Sequence, residues 1–138
     1  MAYWLFKTEP ETFSWEMQKQ RGAKGEPWSG VRNFQAASNM KKMKKGERGF
    51  FYHTGEEKQI VGIVEVIGEY RKDPTDETGR FGLVDVKAVA DVPKPVTLAE
   101  AKADPKLKDM ILVKYSRLSV QAVTEAEWKH ICQLGGVK

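Results

Sequence analysis

The sequence predicts an α+β domain: a small curved β-sheet or barrel with short helices around it. Three observations lead there. The strand-like runs are grouped in the middle of the chain, between about residues 48 and 92. The strictly alternating strand–helix units of a doubly wound parallel sheet are absent. The legible helix starts belong to short, individually capped segments.

The first apolar run, YWLF at residues 3–6, reads as a buried strand stopped by Thr-Glu-Pro. Ser14 is placed to cap a short helix through Gln20, which the RGAKGEP loop ends. A second helix is expected from about Asn33 to Lys45, with Ala36, Met40 and Met43 on one face and Lys41, Lys42 and Lys45 on the opposite arc. RGFFYHT, a Gly-Glu-Glu-Lys turn and QIVGIVEVIGEY form a hairpin. Its second strand is apolar on both faces and therefore central. Gly62 and Gly68 within it signal bulges or sharp bends.

After the polar loop KDPTDETGR, the run GLVDVKAVADV alternates. Regular pleating puts Val84, Val86, Ala88, Ala90 and Val92 on one face and Asp85, Lys87 and Asp91 on the other. Thr97 with Glu100, and Thr124 with Glu127, have the spacing of capping boxes. Val123 and Trp128 fit a hydrophobic staple around the second. Trp128, Ile131 and Cys132 give the last helix an apolar face, which makes it structural.

A chain of 138 residues supports one domain, 1–138. One cysteine excludes an internal disulfide, and with two histidines it argues against a zinc cluster. No metal or cofactor is expected. The opening MAYWLFKTEP lacks the pattern of a signal peptide, and no window approaches a membrane span. The expectation is a cytoplasmic protein with no membrane partner. A net charge of +4 and a pI near 9.1 favour an anionic partner only mildly.

Catalytic and nucleotide signatures are missing: GxGxxG, Walker, HExxH, CxxC and GxSxG all fail. Cys132 reads as an inert buried thiol, and neither His53 nor His130 has a neighbour in sequence that would make it a ligand. Lys7-Thr8-Glu9, just after the first strand, supplies an amine, a hydroxyl and a carboxylate. Brought together they would suit acid–base hydrolysis; otherwise they merely turn the chain. Trp28, in a Pro-Trp-Ser-Gly turn, follows no helical or strand period. It is either a lid on the core or a stacking face for a flat base, with Thr8, Ser29 and Asn33 as edge-reading groups. Asn33 is equally suited to be only an N-cap.

The blocks YWLFKTEPETFSW, WSGVRNFQA, FFYHT, IVGIVEV, LVDV, PVTLAE and LKDMILVKYSRLSVQAVTEAEW, in that order, resemble the EVE domain family, the thymocyte nuclear protein-like branch of the PUA-like superfamily. The resemblance spans almost the whole chain. It implies a PUA-like β-barrel with peripheral helices and an aromatic pocket for a modified base of the 5-methyl- or 5-hydroxymethylcytosine type in nucleic acid. The similar YTH modules take N6-methyladenosine in RNA. The base would be turned out of its strand into the pocket.

Carried over by resemblance, the pocket comprises Thr8, Trp28, Ser29, Asn33, Tyr52, His53 and Phe81. Ser29 replaces an Asp and Phe81 a tryptophan of the family pattern. Lys7, Arg32 and Arg117 would meet the nucleic-acid backbone, and Asp85 falls on the pocket side of its strand. The rival class is a small amidohydrolase like the related ASCH domains, acting on an acylated nucleoside through Lys7, Thr8 and Glu9.

Overall fold

A computed structural model describes residues 1–115 and 117–137. The elements run β1 (Tyr3–Thr8), α1 (Trp15–Gln20), β2 (Glu26–Pro27), α2 (Phe34–Lys42), β3 (Arg48–His53), β4 (Gln59–Lys72), β5 (Gly82–Thr97), α3 (Leu98–Ala103), α4 (Ile111–Lys114), β6 (Val120–Val123) and α5 (Glu125–Leu134). The strands form one six-stranded sheet in the order β2-β5-β4-β3-β1-β6. β1 and β3 are parallel and the other pairings antiparallel. The α+β class is therefore as expected, but the sheet is curled and open, with β2 and β6 at its edges, where a closed barrel would have paired them.

Both faces of the sheet are buried. In β1, Trp4 and Phe6 enter one core and Leu5 the other; in β3, Phe51 enters the first and Phe50 and Tyr52 the second. The pleat makes this alternation unavoidable. Trp15 of α1 and Ala36 and Met40 of α2 cover the first face. Ala101, Leu112, Trp128 and Ile131, from α3, α4 and α5, cover the second.

The long β5 corrects the one-face expectation. Ala88 pairs with Val64 and Ala90 with Ile63, so Val89 is an extra residue in the ladder and lies 37% exposed. A bulge of this kind inverts the facing of everything beyond it. Val84, Val86 and Ala88 pack in or against the first core, but Ala90 and Val92 belong with the second. Asp91 is thereby brought to the first face, where its Oδ1 accepts from Trp15 Nε1 at 2.7 Å and Lys19 Nζ at 3.0 Å.

Helix α2 is also shorter than expected. Met43 is extended (φ −71°, ψ 142°) yet still buried, and Gly46 at φ 93° turns the chain into β3. Lys41, Lys42, Lys44 and Lys45 are exposed. Gly62 sits where an added Cβ would fall 2.3 Å from two ring carbons of Trp15, so this glycine makes room for an indole at the register shift. Ser14 caps α1 through Met17 N, and both capping boxes form. Val123 and Trp128 share the second core. Cys132 is half-buried, and burial pushes its thiol pKa up. No described helix is long and apolar enough to cross a membrane, and the described residues contain no group of three or more potential metal-ligating His, Cys, Asp or Glu.

Candidate functional site

The turn at residues 27–33 is held at both ends. Pro27 pairs with Asp85 at the edge of β5, and Trp28 N donates to Val84 O at 2.8 Å. This drives the indole into a nest of phenylalanines, edge-on to Phe6 (5.2 Å), Phe51 (5.6 Å) and Phe13 (6.1 Å). Only 7% of Trp28 stays exposed. At the far end Asn33 caps α2, its Oδ1 accepting from Ala36 N at 2.9 Å.

Between these anchors the turn is pinned from below by Asp73, whose side chain is fully buried. Asp73 Oδ2 accepts from Gly30 N at 2.9 Å and from Arg32 Nη1 at 3.1 Å; Oδ1 accepts from Thr75 N at 2.8 Å and Thr75 Oγ1 at 2.6 Å. Burial pushes the Asp73 carboxyl pKa up, but the hydrogen bonds from Thr75, Gly30 and Arg32 together outweigh it and hold the value at about 2. Asp76 continues the device: it accepts from Thr78 N and Oγ1 and, at 2.8 Å, from Phe81 N.

Above the turn lies a cleft of about 430 Å³, bordered by Lys7, Thr8, Phe13, Arg21, Trp28, Ser29, Arg32 and Ser119. Past Lys7, Thr8 and Ser119 it continues into a hollow of about 370 Å³ that adds Glu9 and Arg117. Arg117 then borders an open groove of about 630 Å³ shared with Asn33 and Tyr115. Four cations thus lie along one trough. Arg21 is engaged by Glu26 at 2.8 Å and Arg32 by Asp73. Burial lowers the Lys7 pKa, and its Nζ lies 5.7 Å from the centre of the Tyr52 ring.

Five of the expected residues, Lys7, Thr8, Trp28, Ser29 and Arg32, therefore share the cleft, and Arg117 and Asn33 border its extensions. Trp28 lids the first core, and it also borders the cleft. Its indole N–H makes no hydrogen bond with any described residue.

Three expected pocket residues lie elsewhere. Tyr52 faces the second core because β3 alternates, and burial raises its hydroxyl pKa to about 12. His53 is a buried spacer whose Nε2 accepts from Trp15 N at 3.0 Å and whose Nδ1 pairs with Glu57 at 2.9 Å. Phe81, 9% exposed, packs against Phe34 in a tilted pair at 4.9 Å and does not line the Trp28 cleft. Asp85 is clasped by Arg71 through two bonds of 3.1 and 3.2 Å.

The hydrolase trio shares the 370 Å³ hollow, but the Thr8 hydroxyl donates to Phe13 O at 3.0 Å. Sequence reading missed Phe13, Arg21, Asp73 and Asp76. The signal for the last two was present as Asp73-Pro-Thr75 and Asp76-Glu-Thr78, a repeated Asp-x-Thr in which each carboxylate folds back on the threonine two residues on.

The fold is thus a curled mixed sheet with a trough at the end of its first strand, bordered by Lys7, Arg21, Arg32 and Arg117. The chain belongs to the EVE domain family, whose pattern matches residues 2–134. Protein Atu2648 from Agrobacterium tumefaciens is 51% identical and superposes with a TM-score of 0.97 over 99% of this chain and 94% of its own. The human THYN1 protein, solved in complex with 5-methylcytosine-containing DNA, is 30% identical with a TM-score of 0.92 over 98% of both chains. The YTH domain of Zygosaccharomyces rouxii MRB1, solved with N6-methyladenosine RNA, is alike in fold alone, at 18% identity and a TM-score of 0.58 over 97% of this chain and 86% of its own.

Proposed function

We propose that the protein is a non-catalytic nucleic-acid-binding module that takes a modified base, of the 5-methylcytosine type, into the cleft floored by Trp28. The observation that carries the reading is the cleft's composition. Trp28, the small hydroxyl residues Thr8 and Ser29, and the cations Lys7 and Arg32 border it together, and Arg117 lines the adjoining hollow. An aromatic surface suits the base, the hydroxyls suit its edge, and the cations suit the flanking phosphates. The likeness to the human protein solved with methylated DNA supports the choice of ligand.

Truncating Trp28 would open a cavity among three phenylalanines, so the better test blocks the cleft from its exposed rim. Ser29 is exposed and borders the cleft. Ser29→Trp is expected to lower affinity for a 5-methylcytosine oligonucleotide at least tenfold at fixed salt, with the unfolding midpoint unchanged. A folded Ser29→Trp protein that binds the modified strand like wild type would remove the base from this cleft.

A further inference from the structure

We propose that Phe34 is a stacking platform for a nucleobase next to the one in the Trp28 cleft; this rests on the reading above and adds a second contact to it. Phe34 is the first residue of α2, and 66% of it is exposed. The ring is nevertheless mounted firmly. It lies on Phe81 at 4.9 Å between centroids and 32° between planes. Phe81 is in turn held by Asp76, which accepts its backbone N–H, and contacted by the Arg32 guanidinium, 5.9 Å from its ring centre.

Arg32 is fastened to Asp73, the same carboxylate that pins Gly30 in the Trp28 turn. Platform and cleft are therefore braced by one loop, and their separation is fixed. Phe81, expected as a wall of the pocket, instead supports this outward-facing ring.

A flat apolar ring in water, two residues along the chain from a partly exposed guanidinium that contacts the same Phe81, matches one chemistry well: the face of a heteroaromatic base with its phosphate. The ring takes the base, and the remaining guanidinium N–H groups take the phosphate. Every base has such a face, so the platform contributes equally to modified and unmodified strands, whereas the cleft discriminates between them.

The test measures fluorescence anisotropy of labelled single-stranded and duplex DNA of about 12 nucleotides, within the footprint of small single-strand-binding modules. Each carries one central cytosine or 5-methylcytosine and is titrated with wild type and with Phe34→Ala. Exposure of Phe34 means that the substitution leaves both cores intact. Affinity is expected to fall about tenfold for both strands, with their ratio unchanged. Phe34→Leu, which keeps the apolar bulk but not the aromatic face, should behave like Phe34→Ala.

Equal affinities of wild type and Phe34→Ala overturn the platform, whatever the ratio. A loss confined to the methylated strand also overturns it, because Phe34 would then belong to the discriminating pocket. A wild-type ratio of one, with the Phe34→Ala loss intact, defeats the modified-base reading and leaves the platform standing. Failure of wild type to bind either DNA overturns both.

Discussion

Replacing Asp73 with Asn separates the two tasks of this carboxylate. Both of its oxygens are used, one for Thr75 within the loop and one for Gly30 N and Arg32 of the Trp28 turn. Asn has a single acceptor. Kept toward Thr75, it preserves the local turn but points an amide NH₂ at the Gly30 N–H and the guanidinium, donor against donor. A part-buried N–H then loses a charge-assisted bond, which is about 1.5–3 kcal/mol. The Arg32 pair adds less than about 1 kcal/mol, since the arginine side chain is 39% exposed and water can take over its N–H groups. Asp73→Asn should therefore lower stability by about 1.5–4 kcal/mol. Equilibrium unfolding in urea measures this as a fall in midpoint with an unchanged slope. A loss under about 0.5 kcal/mol, the range of ordinary surface substitutions, would show that the loop does not pin the turn.

Gly62→Ala would put a methyl 2.3 Å from carbons of a Trp15 ring that cannot retreat, held by Asp91 at 2.7 Å and Phe51 at 5.1 Å. A cost of about 1–3 kcal/mol in the same unfolding assay is expected, and a wild-type midpoint would refute the close approach. Acid should destabilise through Asp73 and Asp76, both held at about 2 against an ordinary 3.8, Asp76 chiefly by its bond from the Thr78 hydroxyl. Since these folded values lie below the unfolded ones, the unfolded chain binds more protons in that window. Their stabilisation is full above about pH 4 and is lost as pH falls through 2. Urea midpoints measured from pH 6 to 2 should drop at the low end, and less steeply in Asp73→Asn; a flat profile would contradict the assignment.

What the sequence determined by itself was whatever depends on near neighbours. Capping at Ser14, Asn33, Thr97 and Thr124 needs a side chain and an amide two or three residues away, and each was legible and forms. So were the central position of β4 and the apolar faces of α2 and α5, because both periodicities are local. Trp28 stood out because no period explained it, and family resemblance placed Lys7, Thr8, Ser29 and Arg32 around it before any geometry was known.

Tertiary structure decided what depends on register and on distant partners. The bulge at Val89 inverted half of β5, and nothing in GLVDVKAVADV marks it, since the ladder slips against Ile63 and Val64 of another strand. Alternation in β3 sent Tyr52 to the far core, and long-range bonds committed His53 to Trp15 and Phe81 to Phe34. The short β2 and β6, of two and four residues, carry too little pattern to be read alone and exist only by pairing with β5 and β1. The brace under the Trp28 turn spans 43 residues between Gly30 and Asp73, and a contact of that kind is fixed only when the whole chain closes on itself.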